Sequence, residues 1–227
     1  MTELSLTNAE QIAGPLGYPS KMPGTSYGLS ARRCITGTKL HNVEGSTCES
    51  CYALRGNYLH QSVEIAHAKR HAGVTNPQWI NAVVRMLRHM HSLDKDGKPR
   101  KGRNGPITPG WHRWHDSGDL QSVEHLANIC EVATQTPNIW HWLPTREGNI
   151  LKRYVNSGGV VPENLCIRLS ATMIDSAPPR SWPTTSGVHD QQLPQGLVCS
   201  APEHDGHCAD CRACWNRDVA YVSYHKH

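Results

Sequence analysis

Seven of the nine cysteines fall into two groups whose spacing suits metal ligation. Cys34, Cys48 and Cys51 form a C-x13-C-x2-C pattern, and Cys199, Cys208, Cys211 and Cys214 form C-x8-C-x2-C-x2-C. Zinc sites draw their ligands from two short knuckles, and three cysteines at x2-x2 spacing are awkward around one small ion. Such a run suits a cubane, whose irons sit at separate corners, and bacterial ferredoxins use C-x2-C-x2-C in this way. The second group therefore reads as a [4Fe–4S] site in preference to zinc. The first group has only three thiolates. On a four-iron cube that leaves one iron without a protein ligand, open to a substrate or cofactor. Alternatives remain. A fourth ligand could come from Cys199, His41, His204 or His207, or one cluster could be shared by both groups, with the surplus cysteines on zinc or free. Cys130, on an apolar helix face, and Cys166, in a strand, read as small buried hydrophobes.

Other polar residues carry two readings each. Asp119 directly precedes an amphipathic helix, where it is either an N-cap or a ligand. Gly118 gives the backbone room to turn or to approach a ligand. Thr145 is a second N-cap candidate, and Arg146 is either an anion contact or a solvated cation. His112, His115 and His141 flank the C-terminal ends of expected strands, where α/β proteins place ligands; each alone is more often a plain core or polar histidine. Tyr52 and Trp215 follow cluster cysteines and would shield them from water. Lys95, Lys98, Arg100, Lys101 and Arg103 form a short basic run that could touch phosphates, although most such runs are solvated. Trp111, Trp114, Trp140 and Trp142 read as packing residues before base-stacking ones.

The elements that must position these residues follow a rhythm. Residues 1–30, rich in Gly and Pro, read as an extended lead-in. Helices are expected at 61–73 and 77–91, the second opened by Asn76 and Pro77. A basic, Gly-rich loop covers 94–109. Strands at 110–115, 138–143 and 164–171 then alternate with helices at 120–134 and 146–156, which argues for βαβ units and a parallel sheet. A Pro-rich loop containing Pro178, Pro179, Pro183 and Pro194 follows; with an early strand near 28–34 and two late ones at 196–200 and 219–224, about six strands are expected, an open or partial (β/α) barrel. In 164–171, apolar Leu165, Ile167 and Leu169 alternate with Cys166, Arg168 and Ser170. Trp111, Arg113 and His115 share a face in the same way. A parallel strand buried on both faces should be continuously apolar, so the alternation points to a polar lumen, or to an edge strand facing solvent.

The chain of 227 residues suits one α/β domain with a small metal-bound appendage, and charged residues at 19% exclude a coiled coil or a disordered chain. No stretch approaches a membrane span. The start, MTELSLTNAEQ, lacks a basic segment followed by an apolar core, so no signal peptide is expected and the expected location is the cytoplasm. In that reducing compartment clustered cysteines favour metal over disulfides. A net charge of +4 permits an anionic partner without demanding one.

Three segments in order, TCESCYALRGNY, WHRWHDSGDLQSVEHL and WHWLPTR, resemble the phage domain family named after gene product eighty-eight. The resemblance covers roughly residues 28–175 and implies a bacteriophage origin and a bacterial host cytoplasm. The wider pattern is also similar to radical S-adenosylmethionine (SAM) enzymes, in which three cysteines after the first strand of a partial (β/α)6 barrel hold a cluster whose open iron chelates SAM. That resemblance implies an α/β fold with a partial (β/α)6 TIM-like barrel and a C-terminal cysteine-rich cluster-binding segment. Its parts would be a lead-in at 1–27, the barrel with the first cysteine group at 28–195, and the cysteine-rich segment at 196–227. Cys34, Cys48 and Cys51 match the cluster ligands, Ser117, Gly118 and Asp119 the acidic glycine motif that holds the SAM amino group, and Arg168 and Ser170 the later contacts to ribose or carboxylate. The sequence departs from that family in its first gap of thirteen, in Tyr52 after the last cysteine, and in S-G-D for G-G-E. An enzyme of this kind would reduce SAM at the first cluster to a 5′-deoxyadenosyl radical and act on a small or macromolecular substrate, the second cluster being auxiliary. The alternatives are a non-enzymatic iron–sulfur phage regulator binding a host protein or nucleic acid, and a zinc-stabilised nucleic-acid-binding protein.

Overall fold

A computed structural model describes residues 4–226. Seven parallel strands form one sheet: β1 (Thr25–Tyr27), β2 (Trp111–Trp114), β3 (Trp140–Thr145), β4 (Leu165–Ser170), β5 (Thr185–His189), β6 (Leu197–Val198) and β7 (Tyr221–His225). Their order is β1-β2-β3-β4-β5-β7-β6. The order is sequential through β5, and the sheet stays open with β1 and β6 at its edges. Seven strands replace the expected six. The additional strand, β5, lies where a Pro-rich loop was expected; its small, polar sequence TSGVH carries little apolar signal. The first strand lies at 25–27, not 28–34, and the basic loop holds a short antiparallel hairpin, Lys101–Gly102 with Gly105–Pro106.

The lead-in is not extended throughout. It contains helix α1 (Leu6–Ala13), whose N-cap Ser5 accepts from the Asn8 N–H at 3.2 Å. Five more helices follow: α2 (Ile35–Leu40), α3 (Gln61–Gly73), α4 (Trp79–Met90), α5 (Val123–Gln135) and α6 (Gly148–Asn156). On α4, Trp79, Ala82, Val83, Met86 and Leu87 are buried at helical spacing. They join Ala9 and Ala13 of α1, Leu126 and Ile129 of α5, Ile150 and Leu151 of α6, and Trp114, Leu143, Leu165, Ile167 and Leu169 of the sheet in one core. This core lies on one face of the sheet.

The opposite face is not an empty lumen. Trp215 reaches across it with its ring 5.7 Å from Trp111 and 5.2 Å from Trp142, and its indole N–H donates to the His112 carbonyl at 2.8 Å. Arg168, fully buried on β4, donates Nε to the Cys214 carbonyl, Nη1 to Thr185 and Val219, and Nη2 to Ala213 and Asn216. The polar alternation of β4 therefore serves to seat the cysteine-rich segment on the sheet. That segment also contributes β6 and β7 to the same sheet.

Candidate functional site

The first cysteine group lies where β1 ends. A short 3-10 turn, Ala31–Arg33, leads to Cys34, the residue that caps α2. The three thiols are close enough to repel one another as thiolates. Burial pushes the Cys34 thiol far up, and Asp119, Cys51 and Cys48 push it further, while Arg146 opposes them. Burial likewise raises Cys48, against Arg146. A thiol raised by its neighbours is stabilised as thiolate once a cationic centre sits among them. Gly37 makes room for this. A Cβ there would lie 3.5 Å from the Cys34 sulfur and 3.7 Å from that of Cys48, filling the space between them.

Ties from three strand ends hold this loop. After β3, the buried Glu147 carboxylate accepts from the Thr36 N–H at 2.7 Å and hydroxyl at 2.8 Å, satisfying an orphan donor in the first turn of α2. The Arg146 Nε donates to the Thr47 hydroxyl at 2.9 Å, next to Cys48. After β4, the Thr172 carbonyl accepts from the Thr47 N–H at 2.9 Å. After β2, Asp119 is buried and accepts from the Leu120 N–H at 2.7 Å, the Thr145 hydroxyl at 2.5 Å and the Arg146 N–H at 2.8 Å. Burial raises its carboxyl to about 6, against those hydrogen bonds. The sequence reading of Asp119 as a helix N-cap is corrected: Ser122 caps α5, accepting from His125 N–H at 3.1 Å. Thr145 belongs to β3, and Glu147 precedes α6. Nothing in the sequence pattern marks Thr36, Thr47 or Glu147, because their partners lie about a hundred residues away.

Ser117 and Gly118 stitch β1 to β2. The Ser117 hydroxyl donates to the Leu29 carbonyl at 2.7 Å and meets His67 Nε2 at 3.0 Å. Gly118 takes φ 73°, and a Cβ there would lie 2.7 Å from the Leu29 carbonyl oxygen, so no other residue fits. Ser170, at the end of β4, meets the Ser186 hydroxyl at 3.1 Å. It also lines an open pocket of about 320 Å³ with Arg146, Gly148, Ala171 and Thr172. That volume sits at the lower end for small-molecule sites. Arg168 has no N–H left for a ligand, since five carbonyls take all five.

The histidines leave the site. His112 and His141 are fully buried on the helical side, bonded to Thr25 at 2.8 Å and Thr136 at 2.9 Å. Burial holds His141 at about 3 and His112 well below the usual range, so both are neutral. His115 does not share the face of Trp111 and Arg113. Its φ of 51° breaks the strand alternation and turns the ring against His125, 5.5 Å away.

The second group gathers on the other side of the sheet. Cys214 is raised to about 12 by burial, with Cys199 and Cys208 adding to it, and its sulfur lies 3.1 Å from the Tyr224 hydroxyl. Burial, then Cys199, raises Cys208, and Cys211 contributes. Cys130 and Cys166 are buried. Among the described residues no three His, Cys, Asp or Glu side chains converge on one point as ligands of a single metal ion would. No described helix is long and apolar enough to cross a membrane.

A family model described as Gene product 88 matches residues 3–217. No curated protein and no solved structure matches the chain.

Proposed function

The chain belongs to the phage Gene product 88 family, and we propose that it is an iron–sulfur protein of radical-SAM-like build, its sequentially ordered sheet serving as a partial (β/α) barrel. The observation that carries this reading is the cradle at Gly37, where two thiols face a space that a methyl group would fill, with the third thiol in electrostatic reach. Separate corners of a cubane take thiolates that need not converge on a point. Cys34, Cys48 and Cys51 would hold one [4Fe–4S] cluster, and Cys199, Cys208, Cys211 and Cys214 a second. When bound, the first cluster supplies an electron and an open iron for a chelating cofactor such as SAM.

The protein's own residues do the positioning. Glu147 and Arg146 fix the cysteine loop over the ends of β3 and β4, and Asp119 ties β2 to β3 beneath it. The Arg146 guanidinium offsets the negative charge that three thiolates bring together. The pocket lined by Ser170 and Arg146 opens beside this loop and is where a small cofactor would lie.

The test is anaerobic purification followed by iron, sulfide and zinc analysis and an absorption spectrum. About eight iron and eight sulfide per chain, with absorbance near ~400 nm, are expected for two cubanes. About four would mean one shared cluster. Zinc without sulfide would overturn the reading and leave a metal-stapled binding protein. Addition of SAM to the reduced protein should change the cluster's EPR spectrum and yield methionine and 5′-deoxyadenosine. Clusters that ignore SAM would instead favour a regulator with structural or redox-sensing clusters.

A further inference from the structure

We propose that Arg113 anchors a binding site for an oxyanion, a carboxylate or phosphate group of the substrate, on the inner face of the sheet between the two cysteine groups. Arg113 sits on β2 opposite Ser26 of β1 and Trp142 of β3. Its guanidinium carbon lies 4.4 Å from the Trp142 ring centre, a stack that holds the planar fork in one orientation. Its one hydrogen bond runs from Nη1 to the sulfur of Met22 at 3.0 Å, a weak acceptor. Its Nε is buried with no acceptor at all.

Other buried arginines of this chain are treated differently. Arg168 donates to five carbonyls, and Arg70 donates to those of Pro15 at 2.7 Å and Gly28 at 3.0 Å. Arg113 makes no ion pair with any described carboxylate. The Asp116 carboxylate is close enough to be felt but does not reach the fork: its Oδ1 is buried beside Gly28 without a hydrogen-bond partner of its own. A guanidinium whose one acceptor is a thioether sulfur and whose Nε meets none is costly, and a fold that leaves one in place keeps it for a stronger acceptor. Arg113 remains partly solvent-accessible although its Nε is buried, so the open part of the guanidinium is its outer end. Tyr52, which follows Cys51, and Cys208 both feel its charge, which sets Arg113 between the two cysteine groups. A stacked guanidinium offers its edge to an oxyanion as a two-pronged donor.

That this oxyanion belongs to a substrate rests on the iron–sulfur reading; the site itself does not. The test uses the full-length protein, purified without oxygen. Its unfolding midpoint is measured with inorganic phosphate, malonate or chloride at matched ionic strength, in the native protein, Arg113→Met and Arg113→Lys. General salting-out acts on all three proteins alike, so the difference between them is the readout. Phosphate or malonate should raise the native midpoint about 3 °C or more above the rise seen in Arg113→Met, and the anion that does so identifies the source. Arg113→Met also removes a charge that Asp116 partly balances, so its midpoint without added anion is the baseline from which its own response is read. Arg113→Lys keeps the charge without the fork, so its response should be several-fold weaker, and it carries the test alone if Arg113→Met does not fold. An equal response in native and variant proteins, or none in either, overturns the proposal. Iron measured in the same samples separates the two readings: an oxyanion response in iron-free protein sinks the iron–sulfur reading alone, and iron without a response sinks only this site.

Discussion

Asp119 and Gly37 make opposite demands on their positions, one through charge and one through the lack of a side chain. The Asp119 carboxylate is surrounded by donors and cut off from water, and its pKa rises from 3.8 to about 6. The folded state thus holds the proton more tightly than the unfolded chain. Stability from this group is greatest below pH 3.8, falls as pH rises to about 6, and is level beyond. Asp119→Asn should abolish that slope in pH-dependent denaturation. It should also cost on the order of 1–3 kcal/mol near neutrality, because the amide NH2 meets donors. Gly37→Ala places a methyl group between two thiols. Iron should fall from about eight to about four per chain, and Cys130→Ser or Cys166→Ser should leave it unchanged. Asp119 was legible as a special residue because it stands between a strand and a helix. Its acceptor role was not, since Thr145 and Arg146 reach it only through the pairing of β2 with β3.

At the level of elements, two side chains hold whole segments in place. Arg168 joins β4 to the turn that carries Cys214. Arg168→Ala would leave buried carbonyls without donors and should cost roughly 3–5 kcal/mol. Limited proteolysis should then cut within 199–216 far faster than in the native protein, whereas a merely solvated arginine would give no change. Glu147 anchors the first turn of α2. Glu147→Gln keeps one acceptor and loses the charge near the helix N-terminus, so it should cost about 1 kcal/mol and raise the alkylation rate of Cys34 in iron-free protein. The helices α4 and α5 were readable from their apolar spacing. Helix α1 and strand β5 were not, one being only eight residues and the other small and polar.

For the molecule as a whole, the two cysteine groups lie on one continuous sheet, the first over its strand ends and the second seated on the face opposite the helical core. Metal that binds only the folded chain must stabilise it. Removing iron with a chelator should lower the unfolding midpoint of the native protein by several degrees, and by a smaller amount in Gly37→Ala.

The sequence by itself determined the parallel α/β class, because apolar spacing switches between helical and strand periods along 110–171. It also showed seven cysteines in two groups close in the chain, and the fold keeps the members of each group within electrostatic reach of one another. The tertiary structure alone decided what the polar face of the sheet is for. Arg113 and Arg168 lie two strands apart on that face, each at an alternate position of its strand. One is saturated by carbonyls and the other is left open. Periodicity records which way a side chain points, and only packing between distant segments fixes whether anything is there to meet it.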